Sequence, residues 1–113
     1  MTSEESLQYH MRLRIYRNEI CFGPGLAELM ELVKEKGSLS GAVKEMNMAY
    51  SKAWKIIKRA EEDLGFLLME GQSGGRHGGR TVLTEKGEEL LDKYTGFVRE
   101  SQKEVDKIFQ KYF

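Results

Sequence analysis

Hydrophobic and polar residues alternate strictly near the start of the chain. In residues 10–17 the apolar side chains fall on one face of an extended segment and the polar ones on the other; the apolar set is Met11, Leu13 and Ile15. This alternation predicts a half-buried strand. A short second strand is expected at residues 20–22, and Gly23-Pro24-Gly25 then breaks the pattern before a helix.

Three segments with helical periodicity follow. Their apolar residues recur at spacings of three and four: Leu26, Leu29, Met30 and Val33; Leu39, Ala42, Val43 and Met46; Ala53, Ile57, Ala60 and Leu64. Gly37 is expected to end the first helix, and Ser38 to cap the second. The third helix is predicted from about residue 49 to residue 63, with Gly65 at its end. The very short connection Asn47-Met48 predicts a helix-turn-helix unit.

The second half of the chain predicts a hairpin and a long helix. Residues 66–70 and 80–83 are the expected strands, and the glycine-rich residues 71–79 are the tip between them. Thr84 is expected to cap a helix that runs almost to Phe113. This helix carries apolar residues alternately three and four apart, with Ser101 as the polar exception: Leu91, Tyr94, Val98, Val105, Ile108 and Tyr112. About 30 residues of helix would be about 45 Å long, which exceeds what a domain of this size covers. The heptad spacing therefore predicts a symmetric homodimer.

These elements together predict a mainly α fold with a small β component. The expected architecture is a winged helix-turn-helix domain with an N-terminal strand pair, a β-hairpin wing and a long C-terminal dimerisation helix. The predicted boundaries are a disordered N-terminus at 1–8, the winged domain at 9–83 and the dimerisation helix at 84–113.

The placement of charge indicates double-stranded DNA as a partner. Lys and Arg together number 18, as do Asp and Glu, so the net charge of zero gives no overall attraction to nucleic acid. Between Met48 and Ala60, however, four residues are basic and none is acidic. The predicted contacts on this recognition helix are Tyr50, Ser51, Lys52 and Lys55 near bases, and Lys58 and Arg59 at phosphates. The alternative for four cations alone is a solvated helix face.

The glycine-rich loop has a cationic character of its own. It and the following strand carry Arg76, His77 and Arg80 with no acidic residue among them, which suits a wing that approaches a narrow minor groove. A disordered hairpin tip is the alternative. A phosphate-cradling loop is excluded, because no Gly-Lys-Ser/Thr follows the glycines and a strand comes next.

Other classes of function find little support in the residues. The histidines, His10 and His77, lie on different elements without a paired nucleophile, so no enzyme, catalytic residue, metal site or cofactor is predicted. The acidic run at residues 61–63 is expected to be solvated. Cys21 is the single cysteine and no apolar run approaches membrane length, so a cytoplasmic protein without membrane contact is expected. Trp54 is expected in the core, since a single Trp in a small domain is usually buried.

Several short motifs in order resemble one family. They are Phe22–Gly25, Gly37–Ala42, Tyr50–Trp54, Leu64-Gly65, the pairs Gly74-Gly75 and Gly78-Gly79, and Leu83-Thr84 with Gly87. Over about residues 13–94 the chain resembles the N-terminal DNA-binding domain of ModE-type molybdate-responsive regulators, and more distantly the LysR-type regulators. The resemblance implies a winged helix-turn-helix with a long dimerising helix, a recognition helix at residues 50–55 and a wing at 71–79.

The resemblance also bears on regulation. In full-length ModE-type proteins a separate C-terminal domain senses molybdate, and residues 1–113 contain no counterpart. We therefore expect either a natural single-domain regulator or one whose effector acts through a partner, and the small-molecule effector is unknown. Two other hypotheses stay open: a winged-helix module that docks proteins, and a protein linked to molybdate handling.

Overall fold

The described part of the chain folds into four helices and two small antiparallel strand pairs. The structure is a computed structural model that describes residues 7–72 and 80–113. In chain order the elements are β1 (Ile15–Tyr16), β2 (Ile20–Phe22), α1 (Pro24–Lys36), α2 (Leu39–Glu45), α3 (Tyr50–Leu64), β3 (Met69–Gln72), β4 (Arg80–Leu83) and α4 (Glu85–Tyr112). Strand β1 pairs with β2, and β3 pairs with β4. This order confirms the predicted mainly α fold with its two hairpins.

The helix ends follow the predicted capping residues. Gly37 adopts a left-handed φ of 76°, and its amide donates to the carbonyl of Val33 at 2.8 Å. The Ser38 hydroxyl accepts from the Gly41 amide at 3.0 Å and so caps α2. Gly65, with a φ of 85°, ends α3. A side chain at either left-handed position would be strained, so glycine is favoured at the ends of both helices.

The predicted apolar stripes of the helices meet in one core. The largest side chains that are fully buried in it are Phe22, Leu29, Met30, Val33, Ile57, Leu68 and Leu91. They come from α1, α3, α4, β2 and the segment before β3, and α1 contacts both α2 and α4. The core thereby fixes the orientation of α3 relative to the hairpin that follows it.

Two strand predictions need correction. The predicted strand at residues 10–17 is regular only at Ile15–Tyr16, because the short β2 pairs with those two residues alone. Its burial still alternates as predicted: Met11 is half-buried, whereas Arg12 is exposed. Strand β3 begins at Met69 rather than at residue 66. The preceding Leu68 directs its amide to the carboxylate of α3 residue Glu61, at 2.8 Å, instead of to a partner strand.

Helix α4 is divided between the core and solvent. Thr84 caps it as predicted, and Leu91 and Tyr94 are buried in the chain's own core. The Tyr94 hydroxyl donates to the carbonyl of Leu13 at 2.7 Å. The prediction that Leu91 and Tyr94 contact a second chain is therefore wrong, since their surfaces are already covered. Farther along, Ile108 is 54% exposed and Tyr112 is 69% exposed.

The segment before β1 braces the outer part of α4. The Tyr9 hydroxyl hydrogen-bonds to the carboxylate of Asp106 and to the amide of Gln102. The Tyr9 ring packs on Phe109 with centroids 4.9 Å apart. The hydrogen bond to Asp106, followed by burial and the nearby negative charge, raises the pKa of Tyr9 to about 12. Residues 1–6 lie outside the described residues, and the predicted domain boundaries stay predictions.

Candidate nucleic-acid interface

Helix α3 presents the predicted recognition residues on its outer surface. Its inner side is made by Ala53, Ile57 and Ala60, which are buried. The six predicted contact residues are all exposed: Tyr50, Ser51, Lys52, Lys55, Lys58 and Arg59. The structure therefore brings them together on one accessible surface, as a helix that enters a groove requires.

The cations of this surface have no acidic partner among residues 7–72 and 80–113. In the described part of the chain, the ion pairs involve α1, α2 and α4, and none includes Lys52, Lys55, Lys58 or Arg59. Lys58 instead places its ammonium 5.2 Å from the centre of the Trp54 ring. Unpaired cations can neutralise phosphates and release counterions, which is the main electrostatic source of affinity for DNA.

Trp54 is not in the core, contrary to the prediction. It is 37% exposed on the flank of α3, and Tyr50 beside it is 47% exposed. The two rings meet edge to face, with centroids 6.4 Å apart and an interplanar angle of 73°. Ala53 and Ile57 are the residues that this part of α3 contributes to the core, and the indole lies outside it.

The acidic run at the end of α3 holds neighbouring segments. Glu61 is buried and accepts from the Leu68 amide. Asp63 accepts from the backbone amides of Arg17, Asn18 and Glu19 at 3.2–3.3 Å. The prediction that the acidic residues 61–63 are simply solvated is therefore wrong for Glu61 and Asp63.

The same contacts change the acidity of Asp63. Desolvation acts to raise the pKa of this carboxyl, but the hydrogen bonds from the Asn18, Arg17 and Glu19 amides outweigh it and lower the pKa. The carboxylate is therefore stabilised in its charged form, and it ties the β1–β2 turn to the end of α3.

The wing is anchored at its base. The Thr81 amide of β4 donates to the Gly37 carbonyl at 3.0 Å, and the Thr81 hydroxyl accepts from the Leu39 amide at 3.3 Å. Arg80, the first residue of β4, is exposed. The predicted wing contacts Arg76 and His77 lie outside the described residues.

Sequence reasoning missed two further cations near α3. Arg12 and Arg14 project from the N-terminal segment and, together with Arg59, line a cleft of about 250 Å³ beside the start of α1. The available signal was the polar face of the alternating segment. These residues extend the basic surface of α3 along one flank.

Two other kinds of feature, a metal-binding cluster and a membrane-spanning helix, are not found in residues 7–72 and 80–113. These residues contain no group of three or more His, Cys, Asp or Glu side chains placed to hold a metal ion. None of their helices combines the length and the apolar character needed to cross a bilayer.

Comparison with known proteins identifies the family. Residues 26–88 match the bacterial regulatory helix-turn-helix proteins of the lysR family. The chain belongs to this LysR family. The match spans α1 through the start of α4, so it includes the whole helix-turn-helix unit and both wing strands. It confirms the prediction of a DNA-binding regulatory domain rather than an enzyme.

Curated relatives of this LysR-family chain include ModE proteins. It is 30% identical over 85 residues to the DNA-binding transcriptional dual regulator ModE of Escherichia coli K12, covering 75% of this chain and 32% of the relative. It is 29% identical over 83 residues to the molybdenum transport protein ModE of Azotobacter vinelandii, covering 74% and 31%. The chain thus spans about a third of the length of these relatives.

A solved structure confirms the fold of this LysR-family chain. The crystal structure of the CbnR DBD–DNA complex contains a protein chain that superposes with a TM-score of 0.61 at 20% identity. The superposition covers 79% of this chain and 97% of the other. The predicted winged helix-turn-helix architecture is therefore correct.

Proposed function

We propose that this chain is a sequence-specific transcriptional regulator that binds double-stranded DNA as a homodimer in the cytoplasm. The observation that carries the proposal is the outer surface of α3, where exposed cations lack ion-pair partners among the described residues. In this arrangement α3 enters the major groove. Ser51, Lys52 and Lys55, near its first turns, approach base edges, because the N-terminal part of a recognition helix lies deepest in the groove.

Other residues position the protein on the sugar–phosphate backbone. Lys58 and Arg59 lie farther along α3, where phosphates are the nearer partners. Arg12 and Arg14 add to this set on the flank of Arg59. The wing places Arg80 at the adjacent groove. Arg76 and His77 are predicted to contact DNA in that groove as well.

The outer part of α4 supports the proposed homodimer. Beyond Tyr94, α4 and the residue after it carry apolar side chains that are exposed or half-buried: Phe97, Val98, Val105, Ile108, Tyr112 and Phe113. Of these, Val98 still packs against the core. A monomer leaves this surface in water, whereas a second copy would cover it in a symmetric interface. Two recognition helices then face the DNA together, which predicts a palindromic operator with half-sites about 34 Å apart, or a multiple of that distance.

Fluorescence anisotropy with two duplexes tests the proposal. One duplex is the region upstream of the protein's own gene, and the other is a scrambled duplex of equal length, each measured at about 50 mM and about 200 mM salt. The proposal predicts preference for the upstream duplex, two chains per site and a steep loss of affinity with salt. Absence of binding at low salt would refute it and favour a protein-docking module.

The names of the relatives motivate one additional arm of this assay. The Azotobacter protein is described as a molybdenum transport protein, but this chain covers only 31% of it. We therefore assign no residue to molybdate. The same titration with added sodium molybdate measures whether the domain responds to the oxyanion by itself.

A further inference from the structure

An aromatic pair lies on the flank of α3, beside the residues proposed to contact DNA. Trp54 and Tyr50 are one helical turn apart and contact each other edge to face. The pair occupies the N-terminal half of the helix, and the Lys58 ammonium, one turn farther along, lies 5.2 Å from the centre of the Trp54 ring. The apolar surface of Trp54 is thus embedded in the set of cations that the proposed function places in the groove.

The exposed part of the Trp54 ring is a surface that a binding partner could cover. Helix α3 buries Ala53 and Ile57 in the core, whereas 37% of the surface of Trp54 stays exposed to water. The depression beside it is lined by Lys55, Lys58 and Arg59, with Glu62 as the acidic residue among them, so cations predominate. None of the three cations forms an ion pair in the described part of the chain. A second copy of this helix would bring like charges together. The charge therefore favours a polyanionic partner, which is the DNA itself.

The chemical groups exposed in the major groove limit what the Trp54 ring can contact there. Base edges in this groove present hydrogen-bond donors and acceptors, and the one apolar group among them is the C5-methyl of thymine. An indole face has apolar area to offer such a methyl, whereas phosphates are better served by the neighbouring ammonium groups. The position of Trp54, in the second turn of α3, lies within the part of a recognition helix that reaches base edges.

We infer that Trp54, supported by Tyr50, reads the C5-methyl group of thymine within each operator half-site. This inference rests on the proposed function and adds a specificity-determining residue to it. The lysines supply affinity that depends on salt, and Trp54 supplies discrimination that depends on one methyl group. Tyr50 holds the indole at the flank of the helix through the edge-to-face contact.

Replacement of thymine by deoxyuridine tests the inference, because it removes the methyl and keeps the base pairing. The wild-type protein first selects its preferred duplex from a random pool, and each thymine of a half-site is then replaced in turn. Loss of a buried methyl should weaken wild-type binding by about fourfold at one or two positions. Trp54→Ala should bind the thymine and deoxyuridine duplexes equally at those positions, whereas Trp54→Phe should keep part of the difference.

Matched controls separate this role from general loss of affinity. Lys55→Ala should bind more weakly and still distinguish thymine from deoxyuridine. Circular dichroism of Trp54→Ala should match the wild type and its unfolding should stay cooperative, with a lower midpoint because the contact with the Tyr50 ring is lost.

Each outcome bears on one of the two proposals. A selected duplex without thymine in its half-sites, a wild-type protein indifferent to every deoxyuridine, or a Trp54→Ala protein with unchanged discrimination would overturn the inference alone. Failure to enrich any duplex would instead refute the proposed function and the inference with it.

Discussion

Replacing Gly87 by alanine should destabilise the protein, although alanine is the better helix former. Gly87 is buried in the first turn of α4, and its amide donates to the capping hydroxyl of Thr84. A Cβ at this position would lie 2.2 Å from the carbonyl oxygen of Leu68 and 2.9 Å from its carbonyl carbon. These are backbone atoms, so a side-chain rotation cannot relieve the overlap.

The expected magnitude is a balance of opposing contributions. Alanine in place of glycine favours a helix by up to about 1 kcal/mol. Overpacking of a core costs about 1–3 kcal/mol. Displacement of the Leu68 carbonyl also threatens its hydrogen bond from the Thr84 amide, at 3.0 Å, which contributes about 1 kcal/mol. The net loss of unfolding free energy should be about 1–3 kcal/mol, or a melting temperature lower by about 4–12 °C.

Gly96→Ala in the same helix is the matched control. There the nearest atom to a new Cβ is Nη2 of Arg99 at 3.9 Å, an ordinary contact. This variant should gain up to about 1 kcal/mol from helix propensity. Urea unfolding followed by circular dichroism measures both variants, at one protein concentration because a dimer's stability depends on it. A Gly87→Ala protein as stable as the wild type would refute the reasoning from the Leu68 contact.

Three further predictions concern pH, DNA recognition and assembly. Asp63→Asn should unfold at lower urea than the wild type at pH 7. Because folding lowers the pKa of Asp63, its carboxylate stabilises the folded protein above the usual pKa of 3.8, and this stabilisation is lost as the pH falls through the folded pKa. A difference in unfolding free energy between Asp63→Asn and the wild type that is the same at pH 3 as at pH 7 would contradict this. In anisotropy, Lys52→Ala should relax base preference, whereas Arg59→Ala should weaken all duplexes alike and reduce the salt slope by about one. Equal losses on every sequence would argue against these roles. In sedimentation, Ile108→Glu or Tyr112→Glu should convert the proposed dimer to monomers, and unchanged dimer affinity would rule out the α4 interface.

The sequence was sufficient to predict the order of the helices and the residues that end them. Gly37, Ser38, Gly65 and Thr84 act through atoms within four residues of themselves, so local sequence specifies their caps. The exposed face of α3 was equally predictable, because helical periodicity separates its buried alanines and isoleucine from its cations. The strand prediction at residues 10–17 was less accurate, since a strand requires a partner whose length the alternation does not encode.

The exposure of several residues depends on segments that are distant in the sequence. Periodicity placed Trp54 beside the buried Ala53 but did not show whether another element covers the flank of α3. The heptad spacing of α4 is continuous from Leu91 to Tyr112, and only the packed domain shows where the core ends and solvent begins.

By itself, then, the sequence determined the helix-turn-helix order, the caps and the cationic face of α3, because these depend on side chains a few residues apart. The tertiary structure decided that Trp54 is exposed, that Leu91 is covered, and that Asp63 holds the turn some 45 residues before it. Such outcomes depend on which distant segments pack together, and that is a property of the whole folded chain.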